Sequence, residues 1–154
     1  MHAPFRKFAL ILVTIGALFG ALAIAKTEFQ GQPGGGLKVG AAMRILTPDF
    51  VAHYEGRLLN IHPSLLPAFP GLHTHEAALQ TGVRVHGCTV HQVTAGVDEG
   101  PIIEQNVVRV QHSDSKNRLV SIGQDVESKT LTQAMRWFAE HRVLLDGDRT
   151  VIFS

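Results

Sequence analysis

The sequence predicts an α/β fold, and three observations predict it. Short apolar runs rich in Val and Ile alternate with patterns of helical period, as in strands and helices that share one core. Clusters of Gly, Pro and Asp punctuate those runs. The length of 154 residues, 45% of them hydrophobic, suits one domain, which at this size buries roughly 70% of its unfolded surface.

Taken in order, residues 1–26 stand apart. Arg6 and Lys7 precede an uncharged run over residues 8–25, and Lys26 closes it. A helix of that length reaches across about 30 Å of hydrocarbon. Ala23-Ile24-Ala25 has the small-x-small pattern that ends a secretory signal. Three readings are open: a signal peptide or membrane anchor, a buried core helix, or an upstream sequence joined to a domain it did not evolve with. The first predicts an N-terminal hydrophobic helix and membrane association through residues 8–25. Residues 27–36 hold Pro33 and the triplet Gly34-Gly35-Gly36 and read as a linker. A phosphate cradle needs a preceding strand and a Lys-Ser/Thr pair that are not there.

The domain proper spans 37–154. Residues 37–40 are a short strand candidate. Thr47-Pro48-Asp49 starts a helix, with Thr47 as cap and Pro48 in the first turn. Residues 57–61 read as a buried strand. Residues 63–71 hold Pro63, Pro67 and Pro70 and form an ordered loop. A helix follows over 74–80, with Gly82 as its C-terminal cap. Strands at 83–93 and 102–110 flank the turn-rich segment 94–101. Leu119, Ile122, Val126, Leu131, Met135 and Phe138 give residues 115–140 helical periodicity. Residues 143–152 close the chain as a hairpin around Asp146-Gly147-Asp148.

Composition narrows the function. A net charge of +1, from 14 Lys and Arg against 13 Asp and Glu, argues against nucleic acid as a partner. The single Cys88 excludes a disulfide framework and a Cys-rich zinc site. Nine histidines against one Tyr and one Trp are unusual, and five of them lie between His62 and His91.

Asn60-Ile61-His62 directly follows a strand, where ligands collect in open α/β sheets. Asn60 and His62 are two apart, so an extended backbone puts both on one face. An amide donor beside an imidazole suits a developing oxyanion. Asp98, on the Gly-rich turn after the next strand, is the carboxylate best placed to favour the protonated ring. The plainer alternative is that Asn60 caps a turn and His62 is a satisfied buried histidine. His73, His75, His86, Cys88 and His91 invite a metal reading. Their spacing is loose, and His91 points away from His86 and Cys88 on a strand, so no metal is expected. Cys88 lies mid-strand, where thiols are usually inert.

These stretches resemble a known family. They are Met43-Arg44-Ile45-Leu46-Thr47-Pro48, then RLLNIHPSLLPAFPGLHTH over 57–75, His86-Gly87-Cys88-Thr89-Val90-His91, and Gly96-Val97-Asp98-Glu99-Gly100-Pro101. Over residues 39–145 they are similar to the phosphoribosylglycinamide formyltransferases, folate-dependent enzymes of purine synthesis. The resemblance implies a partial Rossmann-like formyltransferase fold, the C-terminal half of the sheet, with the flank of that half-sheet left open. The family's first βα units, with their phosphate-gripping loop, have no match before Leu37. It also implies 10-formyltetrahydrofolate as co-substrate, glycinamide ribonucleotide as formyl acceptor, and a cytoplasmic setting. Asn60 and His62 would act on the formyl oxygen, with His62 as general acid. Asp98 would raise the His62 pKa and relay a proton. Met43, Arg44, Ile45, Leu46, Asn60, Val93, Thr94 and Val97 would hold the folate, and Ile61, Pro63 and Glu127 the ribonucleotide. Ser128, Leu131 and Thr132 depart from the family around Glu127. His73, His75, Thr89 and His91 match it as supporting residues. The formyltetrahydrofolate deformylases, which hydrolyse the same donor, typically have a second His where Pro63 stands. An inactive, membrane-tethered remnant is a further reading.

Overall fold

A computed structural model describes residues 11–14, 23–25, 38–40 and 46–153. Six strands form one sheet: β1 (Ile11–Thr14), β2 (Ala23–Ala25), β3 (Lys38–Gly40), β4 (Leu58–His62), β5 (Val85–Gln92) and β6 (Ile102–Arg109). Their order is β3-β2-β1-β4-β5-β6. β1 and β4 run parallel, and the other neighbours are antiparallel. The sheet is therefore mixed. The reversal arises between β4 and β5, where the 63–71 loop and α2 (Thr74–Thr81) return the chain alongside β4 instead of crossing over.

The N-terminal expectation is also corrected. Residues 8–25 do not form one helix, because Ile11–Thr14 and Ala23–Ala25 are strands. Ile11-Leu12-Val13-Thr14 is rich in β-branched residues, and Gly16 and Gly20 disfavour a continuous helix. Periodicity alone cannot separate a short apolar strand from a buried helix. Leu58 to Ile61 pair with Ile11 to Thr14. The flank of β4 expected to lie open is thus covered by the chain's own run, which meets the hydrogen-bonding demand of that edge. Among the described residues no helix is long and apolar enough to cross a membrane. The rest of the run and the linker lie outside the described residues.

The other elements follow their local signals. Thr47 caps α1 (Pro48–His53) by accepting from the Phe50 amide at 3.3 Å. Gly82 ends α2 in the left-handed conformation, φ 72°. Ser115 caps α3 (Lys116–Ala139) through the Arg118 amide at 3.3 Å. β7 (Val143–Asp146) and β8 (Arg149–Ile152) form the hairpin, with Gly147 at φ 62° in its turn. The Thr150 hydroxyl ties it to the Ile102 carbonyl of β6.

The core lies between the sheet and α3. Leu59, Ile61, Cys88, Val90, Ile103, Leu131 and Ala134 form its buried centre. A smaller cluster on the other face joins Val51 and Leu58 with Leu46, Phe50, Tyr54 and Val93. Each side chain along β4 alternates between these layers, so Leu58, Asn60 and His62 face one way and Leu59 and Ile61 the other.

Candidate active site

β4 and β5 build the site. Their register sets Asn60 opposite His91 and His62 opposite Thr89. All four side chains share the face away from α3, and all are buried. The expected common face for Asn60 and His62 is present, at the C-terminal end of β4. The β5–β6 pairing shifts register between Val90 and His91, a local break of the kind that re-aims side chains beside functional sites.

His62 is fully buried. Its Nε2 lies 2.9 Å from the Phe69 carbonyl, which can only accept, so this nitrogen carries a proton. Its Nδ1 lies 3.4 Å from Asp98 Oδ2, close enough for charge attraction but not aligned as a hydrogen bond. Asp98 also accepts from the Gly71 amide at 2.9 Å. The 63–71 loop thus touches both members of the pair. Phe69 and Asp98 adopt positive φ of 53° and 56°. Each left-handed residue costs about 1–3 kcal/mol, a strain that persists only where surrounding contacts hold it.

That loop is itself anchored from below. Thr89 Oγ1 donates to the Ser64 carbonyl at 2.7 Å and accepts from the Leu66 amide at 3.0 Å and Gln105 Nε2 at 2.8 Å. Ser64 Oγ donates to the Ala68 carbonyl at 2.7 Å. On the opposite side Gly100 lies hard against β5, where a Cβ would collide with the Gln92 carbonyl. These contacts fix where Asp98 stands.

The electrostatics modify one expectation. Burial dominates at His62 and lowers its pKa; the Phe69 carbonyl and Asp98 pull it up, and His91 pushes it down. Asp98 acts in the expected direction, but the net shift is downward, so His62 is mostly neutral at neutral pH. At Asp98 burial raises the pKa, and the neighbouring His91 and His62 rings together with the hydrogen bond from the Gly71 amide outweigh it. Asp98 is therefore ionised.

The remaining expected site residues are dispersed. Leu46 and Val93 share the small apolar cluster beside Leu58, next to the site face. Thr94 and Val97 are exposed, Val97 at 69%. Met43, Arg44 and Ile45 lie outside the described residues. Pro63 is buried next to His62. The Ile61 side chain points into the α3 core, away from the site face, because it is odd in the alternation that makes Asn60 and His62 even. Glu127 is on α3 beside Gly123 and His75, also away from that face, with its carboxyl pKa raised by burial.

The candidate metal ligands separate in the same way. His73 is at the surface against Glu76. His75 Nδ1 and His86 Nε2 are 2.9 Å apart near α3. Cys88 Sγ lies 3.2 Å from Thr130 Oγ1, and burial pushes its thiol up to about 11. Among the described residues no group of three or more His, Cys, Asp or Glu side chains could hold a metal ion. Sequence reasoning missed the Phe69 carbonyl and Gly71 amide, since backbone groups leave no trace in residue identity. The three prolines flagged the loop as ordered without saying what it touches.

Known proteins are similar to this chain in sequence and fold. The formyl transferase family model matches residues 38–135. The formyltetrahydrofolate deformylase of Bacillus subtilis (strain 168) is 45% identical over 112 residues, 73% of this chain and 37% of that protein. The phosphoribosylglycinamide formyltransferase of Escherichia coli (strain K12) is 48% identical over 114 residues, 70% of this chain and 54% of that protein. The solved glycinamide ribonucleotide transformylase 1 of Symbiobacterium toebii superposes with a TM-score of 0.71 at 46% identity, covering 74% of this chain and 54% of its own. The chain thus spans between 37% and 54% of the length of these relatives. With the Asn60, His62 and Asp98 constellation inside the matched segment, the chain belongs to the formyl transferase family.

Proposed function

We propose that the chain transfers a formyl group from 10-formyltetrahydrofolate to the amine of glycinamide ribonucleotide. The observation that carries this is the meeting of Asn60, His62 and ionised Asp98 on one buried face at the end of β4. The amine attacks the formyl carbon, and Asn60 and His62 stabilise the resulting oxyanion. A negative oxygen beside His62 favours the imidazolium and offsets the burial that keeps the ring neutral. Asp98 carries the proton released by the amine toward the folate nitrogen as the carbon–nitrogen bond breaks. Both His62 nitrogens already face a contact, so the Phe69 carbonyl has to yield when substrate arrives. Leu46 and Val93 fit the apolar side of a folate pocket, and Pro63 the acceptor side.

Hydrolysis of the same donor is the second reading, favoured by the comparable identity to formyltetrahydrofolate deformylases. The Pro63 position favours transfer. Incubating the full chain with 10-formyltetrahydrofolate, with and without glycinamide ribonucleotide, separates them. Formylated ribonucleotide is the expected product. Formate released without the acceptor establishes hydrolysis instead, and no donor consumption in either arm overturns both.

A further inference from the structure

His91 is buried directly opposite Asn60, and its two nitrogens have different partners. Nδ1 lies 2.8 Å from the Gln92 carbonyl, which only accepts, so Nδ1 carries the proton. In the neutral ring Nε2 is then an acceptor, and it lies 3.1 Å from Asn60 Nδ2. The same Nε2 is 3.7 Å from Asp98 Oδ1. An asparagine amide is nearly symmetric in shape but not in chemistry, and its two orientations exchange a donor for an acceptor. Only the donor end stabilises an oxyanion.

We propose that His91 is a positioning residue for the formyl-group chemistry, whose Nε2 holds the Asn60 amide in the orientation that makes its nitrogen the donor. This rests on the role of Asn60 proposed above, and it serves transfer and hydrolysis alike. A flipped Asn60 sets its carbonyl oxygen against the lone pair of Nε2, two acceptors face to face across paired strands. Gly100 preserves the device. A Cβ there collides with the Gln92 carbonyl that fixes the His91 tautomer.

Two measurements test this. Nitrogen-15 NMR of the ligand-free full chain reads the His91 tautomer without reference to activity. Protonated Nδ1 and bare Nε2, with the Nε2 signal shifting in Asn60→Ala, are expected; a neutral ring protonated at Nε2 overturns the proposal. Kinetically, His91→Ala lowers kcat by roughly 10-fold, with the KM for the donor little changed. His91→Gln, which keeps an acceptor, recovers part of the loss. In an Asn60→Ala background the same His91→Ala change has less than about a twofold effect, since the two act as one unit. An equal loss in both backgrounds means that His91 acts through Asp98 or the fold, and overturns the assignment. A wild-type chain without formyl transfer or hydrolysis sinks the proposed function, while the tautomer still decides the role of His91.

Discussion

The two faces of the β4–β5 pair are equally buried and chemically opposite. One carries Leu59, Ile61, Cys88 and Val90 against α3. The other carries Asn60, His62, Thr89 and His91 beneath the 63–71 loop and the Asp98 turn. The apolar face is held by area removed from water, which any well-shaped apolar neighbour supplies. The polar face is stable only while each group has its partner, because an unpaired buried donor or acceptor costs about 1–3 kcal/mol. Stability therefore tracks volume on one face, and activity tracks hydrogen-bond geometry on the other.

The largest expected effect is on the apolar face. Leu59→Ala should lose about 2–5 kcal/mol of unfolding free energy, through lost burial and the cavity left under α3. Chemical denaturation reads the loss. Per-molecule turnover of the remaining folded protein should hold, and a large fall in it would merge the two faces into one functional unit.

On the polar face the pattern inverts. Asn60→Ala or His62→Ala should cut turnover by roughly 10² or more, with modest loss of folate binding. Near-normal turnover in both variants would remove the polar face from the chemistry. Asp98→Asn removes a carboxylate that pulls the His62 pKa up. Because His62 acts in its protonated form, the alkaline limb of the pH–rate profile should move to lower pH, and an unmoved limb would dissociate Asp98 from His62.

The smallest effect compares the histidines of both layers. Burial lowers His62 on the polar face and lowers His75 and His86 near α3, with His86 at about 4. Each binds fewer protons folded than unfolded between its folded pKa and the ordinary value of 6.5. Stability should thus be full above about pH 6.5 and fall as the pH drops toward about 4. Thermal melts across that window read it, and a flat profile would show that these rings are hydrated.

Much of this was legible in the chain. Thr47-Pro48 and Gly82 mark helix ends by chemistry that acts within one turn, the periodicity over residues 115–140 marks a third helix, and the structure places α1, α2 and α3 where these signals predict. The spacing of Asn60 and His62 declares a shared face, because side chains in a strand alternate whatever surrounds it. The N-terminal run was misread because apolar sequence says only that a segment avoids water. The bare edge of β4 decides that part of it becomes a strand.

Residue identity suffices for the three helices, the polar alternation of β4 and the stretches that carry the family likeness. Each depends on neighbours a few positions away. Tertiary structure alone decided the strand directions, the coverage of β4 by β1, and the partners of His62, Asp98 and His91. It also set the net charge state of His62. Burial by a loop whose contacting groups are backbone outweighs the pull of Asp98 there. That balance depends on distances across the fold, which residue identity does not encode.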